Sequence, residues 1–367
     1  MSATDLVEVG VGGLAEGVIT GDDVIRMHEA LFEAGWTDGL PVIPPTRGRV
    51  DEFIRASGLP ADFVVAVVPP LDKPATIEKI AANSVMAGCL PEYMPVVIAS
   101  LRASVGPKLN LRGMQCSTQI STPLQIINGP IRKQLNFNCG AGVFGPGWRA
   151  NATVGRALKL VLVNIGGAVP GEVDRATFAH PGKFTFCIAE NEEESPWEPL
   201  HVEYGFKPED STVTVYASEA PQNILVSELH DNPTQPYALL DTIANMMSDV
   251  GSNQAYLGGE HIVGLSPDHA ATIAQSGWKK LHVQKYLFEK ARIPIRELKK
   301  AGIYGREVDK YHLWPRWIDR YNDDSLMPVA RDASDIKIIV TGGPGLHSVY
   351  LPGLGSRCQI AKVELSS

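Results

Sequence analysis

The chain has 367 residues, with 33 Lys and Arg against 41 Asp and Glu, a formal net charge of -8 at pH 7. Its 44% hydrophobic content is that of an ordinary globular chain, and its 35 glycines and 27 prolines exceed average usage without reaching the low-complexity range, so disorder, collagen and coiled coil are excluded. The acid excess argues against nucleic acid as the main partner, because neutralising phosphates needs a basic face, and the length suits two or three domains.

Residues 1–20 carry Gly10, Gly12, Gly13 and Gly17 with little periodicity and read as a loose arm. Residues 22–34 place Val24, Met27, Leu31 and Phe32 near helical spacing. Residues 40–44 (LPVIP) suit a strand end. Thr46 then reads as the N-cap of a helix stopped by Gly58. The β-branched run 63–68 (FVVAVV) predicts a buried strand, and residues 76–88 and 93–104 predict helices. This β-α order favours a parallel sheet.

The middle third adds short strands at 124–128, 212–216 and 223–226, and a half-buried strand at 183–190. A nearly all-apolar helix is expected over 149–165, and an amphipathic one over 237–250. The last third returns to α/β order, with strands at 261–265, 336–340 and 359–365 and helices at 267–275, 280–291 and 294–301. Ser266-Pro267-Asp268 is a strong helix start: a cap, Pro at the first position and an acid in the first turn. The fold class expected is α/β, with mixed or mostly parallel sheets, covering helices and more than one subdomain. The texture divides into an N-terminal α/β segment (1–104), a central domain with a Gly-rich loop and an acidic turn (105–250), and a C-terminal α/β segment (251–367).

The N-terminal ten residues have neither the basic nor the apolar region of a signal peptide. The most apolar stretch, 157–168, is broken by Lys159 and Asn164, so no membrane span is expected. Cys89, Cys116, Cys139, Cys187 and Cys358 are dispersed and odd in number, which suits reduced thiols rather than zinc ligands or disulfides. The expectation is a cytoplasmic protein.

Four features carry chemistry. The first is the loop Gly140-Ala141-Gly142-Val143-Phe144-Gly145 before the 149–165 helix. It matches G-x-G-x-x-G in letters, but Pro146-Gly147 postpones the helix and no second strand follows in place, so no dinucleotide or other organic cofactor is expected. Glycine backbone at a helix start still favours an anion. Arg149, Thr153 and Arg156 share one face of that helix, and Asn151 is beside them. Two guanidiniums on a mostly apolar helix need partners, either a substrate carboxylate or phosphate or the chain's own acids.

The second is the acidic turn Glu190-Asn191-Glu192-Glu193-Glu194, followed by Ser195-Pro196-Trp197 and by His201 and Glu203 at strand spacing. Crowded carboxylates raise one another's pKa and can act as acid and base, or hold a hard cation. The third is Cys139, whose place near a helix N-terminus and Arg149 would lower its pKa, with Cys116 in a polar run as a second thiol. The fourth is the run from Gly342 through Gly343 to His347 and Ser348, at the carboxyl end of a strand, where open α/β sheets collect ligands. There His347 would be an acid or base. Glu260 and His261 precede their strand and fall at the other edge, and His269 reads as a surface or capping residue. The chain contains no Walker A, H-E-x-x-H, EF-hand or G-x-S-x-G pattern.

Several runs together carry a resemblance: Trp36-Thr37-Asp38-Gly39-Leu40-Pro41 with Pro44-Pro45-Thr46; Asn83-Ser84-Val85-Met86-Ala87-Gly88-Cys89; RANATVGRAL from Arg149; and AENEEESPWEPLHVEYGF from Ala189. The chain resembles an uncharacterised bacterial family with these phrases, some members of which occur beside or fused to selenoproteins named for a U-G-S-C motif. The resemblance implies thiol or selenol chemistry nearby, and no reaction.

The expected site lies between the Arg149–Arg156 face and the turn that ends at His201. Arg149 and Arg156 would hold an anionic group of a small substrate, Asn151 would orient it, the glycines at 140, 142 and 343 would offer backbone, and Glu192 or Glu193 would exchange a proton with His201. Cys139 and His347 are further catalytic candidates. The reaction would be hydrolase, lyase or isomerase chemistry on a small carboxylate, in a homo-oligomer. One alternative is a metal-dependent enzyme with a divalent cation on Glu190, Glu193 and His201. The other is a non-catalytic subunit that partners a thiol/selenol redox protein.

Overall fold

The computed structural model describes residues 21–227, 235–300, 318, 319 and 321–365. The arm expected over 1–20 and the end of the last predicted helix at Ala301 lie outside the described residues. In chain order the strands are β1 (Val64–Val68), β2 (Lys73–Thr76), β3 (Thr122–Asn128), β4 (Cys187–Ala189), β5 (Thr212–Ser218), β6 (Gln222–Leu225), β7 (His261–Leu265), β8 (Arg292–Pro294), β9 (Leu326–Pro328), β10 (Ile336–Val340), β11 (His347–Leu351) and β12 (Gln359–Lys362). Two four-stranded sheets dominate, ordered β12-β5-β3-β4 and β10-β7-β11-β6, and two strand pairs, β1-β2 and β8-β9, stand apart.

The alternation of side chains along each strand builds a four-layer molecule. On the first sheet Ile127, Ala189, Val213, Val215 and Ala217 face a helical layer made by Arg47–Ser57, Ile77–Ala87, Met94–Ser104 and Arg149–Asn164. The opposite face presents Leu124, Ile126, Ile188 and Tyr216 to Ile262, Ile339 and Leu351 of the second sheet. The far side of the second sheet packs Val263, Leu265, Ile338 and Tyr350 against Gln235–Met247, Pro267–Gln275 and Lys280–Lys290. The sheets are mixed: β3/β4 and β7/β10 run parallel, and the remaining pairs are antiparallel.

The helix signals in the sequence act as expected. Ser266 Oγ accepts from the His269 N–H to cap Pro267–Gln275, and Gly58, at φ 67°, ends Arg47–Ser57 in the left-handed conformation. Several strand readings change. The 63–68 run is not a buried parallel strand: β1 pairs only with β2, antiparallel, and Val64 and Val67 are exposed. Residues 40–44 form no strand; Ile43 instead donates its N–H to Met86 O. Of the 183–190 run only β4 joins a sheet, because Pro181–Lys183 folds into a 3-10 turn and leaves Phe184 exposed. Residues 200–203 form a helical turn, so His201 and Glu203 do not share a strand face.

Strands are exchanged across the 250/251 boundary, whereas β1 and β2, from the first stretch, pair with each other. β6 comes from the central stretch and joins the second sheet, while β12 comes from the last stretch and joins the first. At one end of the sandwich the carboxyl ends of β4 and β10 touch: Thr341 Oγ1 donates to Ala189 O at 3.0 Å, and Asn191 N–H donates to Val340 O at 2.8 Å.

Candidate functional site

The glycine loops at 140–145 and 342–345, remote in sequence, meet at that end. Gly342 N–H donates to Cys139 O at 2.9 Å, and a Cβ on Gly343 would lie 2.8 Å from the Ala141 Cβ. Only glycine allows this approach. Between the loops is a crevice of about 390 Å³, lined by Gly142, Gly343, Asn223, Ser266, Thr341 and His347 among others. It opens where β7 and β10, a parallel pair, end and where the Pro267–Gln275 helix begins. That is the position at which α/β sheets collect ligands, and the helix start adds a positive potential.

The first loop is held from below. Asn138 Oδ1 accepts from the Gly140 N–H, and Asn138 Nδ2 donates to Ala141 O. Asn151 clamps Asn138 in turn: its Oδ1 accepts from Asn138 N–H at 2.8 Å, and its Nδ2 donates to Asn138 O and Cys187 O. Asn151 is buried and committed to this clamp, so it positions the loop and does not orient a ligand. Gly142 and Gly343 line the crevice, while Gly140 is spent on the Asn138 turn.

The acidic turn lies beside the crevice through the Asn191–Val340 bond, but its cation is Arg132. Arg132 Nη2 donates to Glu192 Oε2 at 2.8 Å, both terminal nitrogens reach Glu193, and Nη1 donates to Glu190 O. Glu192 Oε1 also accepts from Gly129 N–H at 2.7 Å and Asn128 Nδ2 at 3.0 Å. Gly129, at φ 82°, must be glycine, since a Cβ there would meet Asp210 O. Arg132 with Lys133 holds Glu193 down to about 2, mainly through the Arg132 hydrogen bond, so this carboxylate is no proton carrier near neutrality.

Glu190 behaves oppositely. It is fully buried, its Oε2 accepts from Asn128 Nδ2 and Leu200 N–H, and burial pushes it up to about 7. His201 is fully buried as well, with Nδ1 4.0 Å from Glu192 Oε1 and no hydrogen-bond partner for either ring nitrogen among the described residues. Glu190 Oε1 and Asn128 Oδ1 are likewise buried without a protein partner.

Arg149 and Arg156 do not meet this turn. Arg149 Nε donates to Gly88 O at 3.0 Å, at the end of the Ile77–Ala87 helix. Arg156 grips Asp38 with two bonds of 2.7 Å and also reaches Leu40 O. Arg156 is thus paired with the chain's own acid, while the exposed Arg149 contacts only backbone carbonyls, of Gly88 and Cys89, among the described residues. Cys139 is half-buried, and its thiol is pushed up by burial, which outweighs the nearby Arg132; the expected lowering does not occur. All five cysteines are free. The proposed metal trio is not assembled, because Glu193 turns to Arg132 and Lys133, and no group of three or more His, Cys, Asp or Glu among the described residues has metal-holding geometry.

Sequence reading missed Arg132 and the interior histidines. His269 is buried rather than at the surface: its Nδ1 lies 2.6 Å from Ser348 Oγ and its Nε2 lies 3.4 Å from Val226 O. Burial lowers its pKa. His261 and Glu260, at the amino end of β7, are buried too, with His261 Nδ1 2.8 Å from Tyr350 Oη and Glu260 Oε2 accepting from Tyr204 Oη and Cys358 N–H. No helix among the described residues is long and apolar enough to cross a membrane. Neither a family model nor a curated protein matches the chain.

Proposed function

We propose that the protein is an enzyme for a small anionic, carboxylate-bearing substrate, bound in the crevice between the two glycine loops and converted by acid-base chemistry of the hydrolase, lyase or isomerase type. One observation carries the reading. Gly142, Gly343, Asn223, Ser266, Thr341 and the exposed His347 line a single crevice at the carboxyl ends of a parallel strand pair. With Arg149 and Arg156 engaged elsewhere, glycine backbone and the helix start supply the anion's partners. The His347 imidazole at the rim would serve as the acid or base. The Arg132–Glu192 cluster supports the crevice from the side and makes no contact with substrate in this reading.

The test is calorimetry with a panel of small carboxylates on the wild type, Gly343→Ala and His347→Gln, with melting as the fold control. A carboxylate that binds is expected to bind about tenfold or more weakly to Gly343→Ala. His347→Gln is expected to keep binding within about threefold while losing conversion followed by NMR. Equal binding by Gly343→Ala, or no carboxylate bound by the wild type at millimolar concentration, overturns the proposal.

A further inference from the structure

A second cavity lies on the helical side of the first sheet, away from the crevice. It measures about 390 Å³ and is lined by Trp36, Leu71, Lys73, Lys79, Asn83, Met86 and Asn164, with Ala82 and Ile165. Its base is apolar, since Ala82, Met86 and Ile165 are buried core residues. Its wall is fixed. Asn164 Nδ2 donates to Trp36 O at 3.0 Å and to Asn83 Oδ1 at 2.7 Å, while Asn83 Nδ2 donates to Lys79 O. Two residues beyond Trp36, Asp38 is held by Arg156.

The charges distinguish this cavity from a packing gap. Neighbouring cations have carboxylate partners: Arg47 has Asp51 and Glu78, Arg112 has Asp72, and Arg156 has Asp38. Lys73 and Lys79 make no ion pair with a carboxylate among the described residues, and Lys79 Nζ reaches only Pro74 O, at 3.3 Å. Two ammonium groups, an indole, an apolar base and a preorganised wall match the anatomy of a small-molecule site. We propose that this cavity binds a small aromatic carboxylate, with the ring against Trp36, Leu71 and Met86 and the carboxylate between Lys73 and Lys79. A charge-assisted bond to an ammonium gives the anion its preference over a neutral ring.

The experiment is calorimetry on the full chain with 1-naphthoate and its neutral isostere 1-naphthamide. Naphthoate is expected to bind, and naphthamide to bind at least about tenfold more weakly. The double variant Lys73→Ala/Lys79→Ala is expected to lose about tenfold or more in naphthoate affinity, and Trp36→Phe to lose the fluorescence change on binding. Gly343→Ala, which alters only the crevice, is expected to bind naphthoate as the wild type does, so failure here and failure of the crevice reading are separate results. If the double variant melts without cooperativity, Lys73→Ala alone decides by the same threshold. No naphthoate binding, equal binding of naphthamide, unchanged affinity in the lysine variant, or loss of affinity in Gly343→Ala overturns the proposal.

Discussion

Arg132 and Glu192 form a buried ion pair at 2.8 Å, with only 4% of the arginine side chain exposed. The pair is surrounded by further acceptors and donors: Glu193, Glu190 O, Gly129 N–H and Asn128 Nδ2. Removing one partner of such a pair leaves the other charged and desolvated. Arg132→Ala is therefore expected to cost about 3–5 kcal/mol in urea denaturation. A loss below about 1 kcal/mol would show that Glu192 finds water or another cation at little cost.

Arg156 and Glu192 share no partner, so their substitutions to Ala should add within about 0.5 kcal/mol in stability. By contrast, Arg156→Ala and Asp38→Ala should couple by about 1–3 kcal/mol, because their two-bond contact is mostly shielded from solvent. A double-mutant cycle by chemical denaturation reads both numbers. Zero coupling for the second pair would remove Arg156 as the anchor of the loop beyond Trp36.

Glu190 sets a pH dependence. In the folded chain it holds its proton to about 7, pushed up chiefly by burial, whereas the unfolded chain releases it near the ordinary carboxylate value of about 4.3. Its contribution is present below the unfolded value and is lost as pH rises through 7. Glu190→Gln cannot ionise. The stability difference between variant and wild type should thus shift in the variant's favour by on the order of 1–3 kcal/mol from pH 5 to pH 8. A flat difference across that range would refute the assignment.

Legibility in the sequence differs by element. Helices announced themselves through local chemistry, as at Ser266-Pro267-Asp268 and Gly58, because caps and stops act within a few residues. The two glycine loops were visible as loops, and their shared crevice was not, since residues 141 and 343 meet only once both sheets have formed. The acidic turn is legible in the sequence, but its partner is Arg132 rather than Arg149 or Arg156. Arg132 follows β3, and only the parallel pairing of β3 with β4 brings it to residues 190–193. β1 misled for a different reason. A β-branched run says strand, and it does not say which face or edge the strand will occupy.

His261 predicts an acid limit. Burial lowers it to about 4, so the folded chain keeps it neutral while the unfolded chain takes a proton near 6.5. Its contribution is present above the unfolded value and is lost as pH falls through 4. His261→Gln should flatten the decline in stability between pH 6.5 and 4 by about one proton, read from the slope of denaturation free energy against pH. An unchanged slope would assign the acid sensitivity to other groups.

The crossing of strands between the sheets also constrains how the molecule is made. β12 closes the edge of the first sheet against β5, about 145 residues earlier in the chain, after the second sheet's β7, β10 and β11 have been laid down in sequence. A growing chain would therefore carry an unfinished sheet edge until residues 359–362 leave the ribosome. Cut between β6 and β7, neither half would hold a complete four-stranded sheet, since the first would lack β12 and the second β6, and pairing at this sequence separation is of the kind that slows folding and leaves an edge open meanwhile.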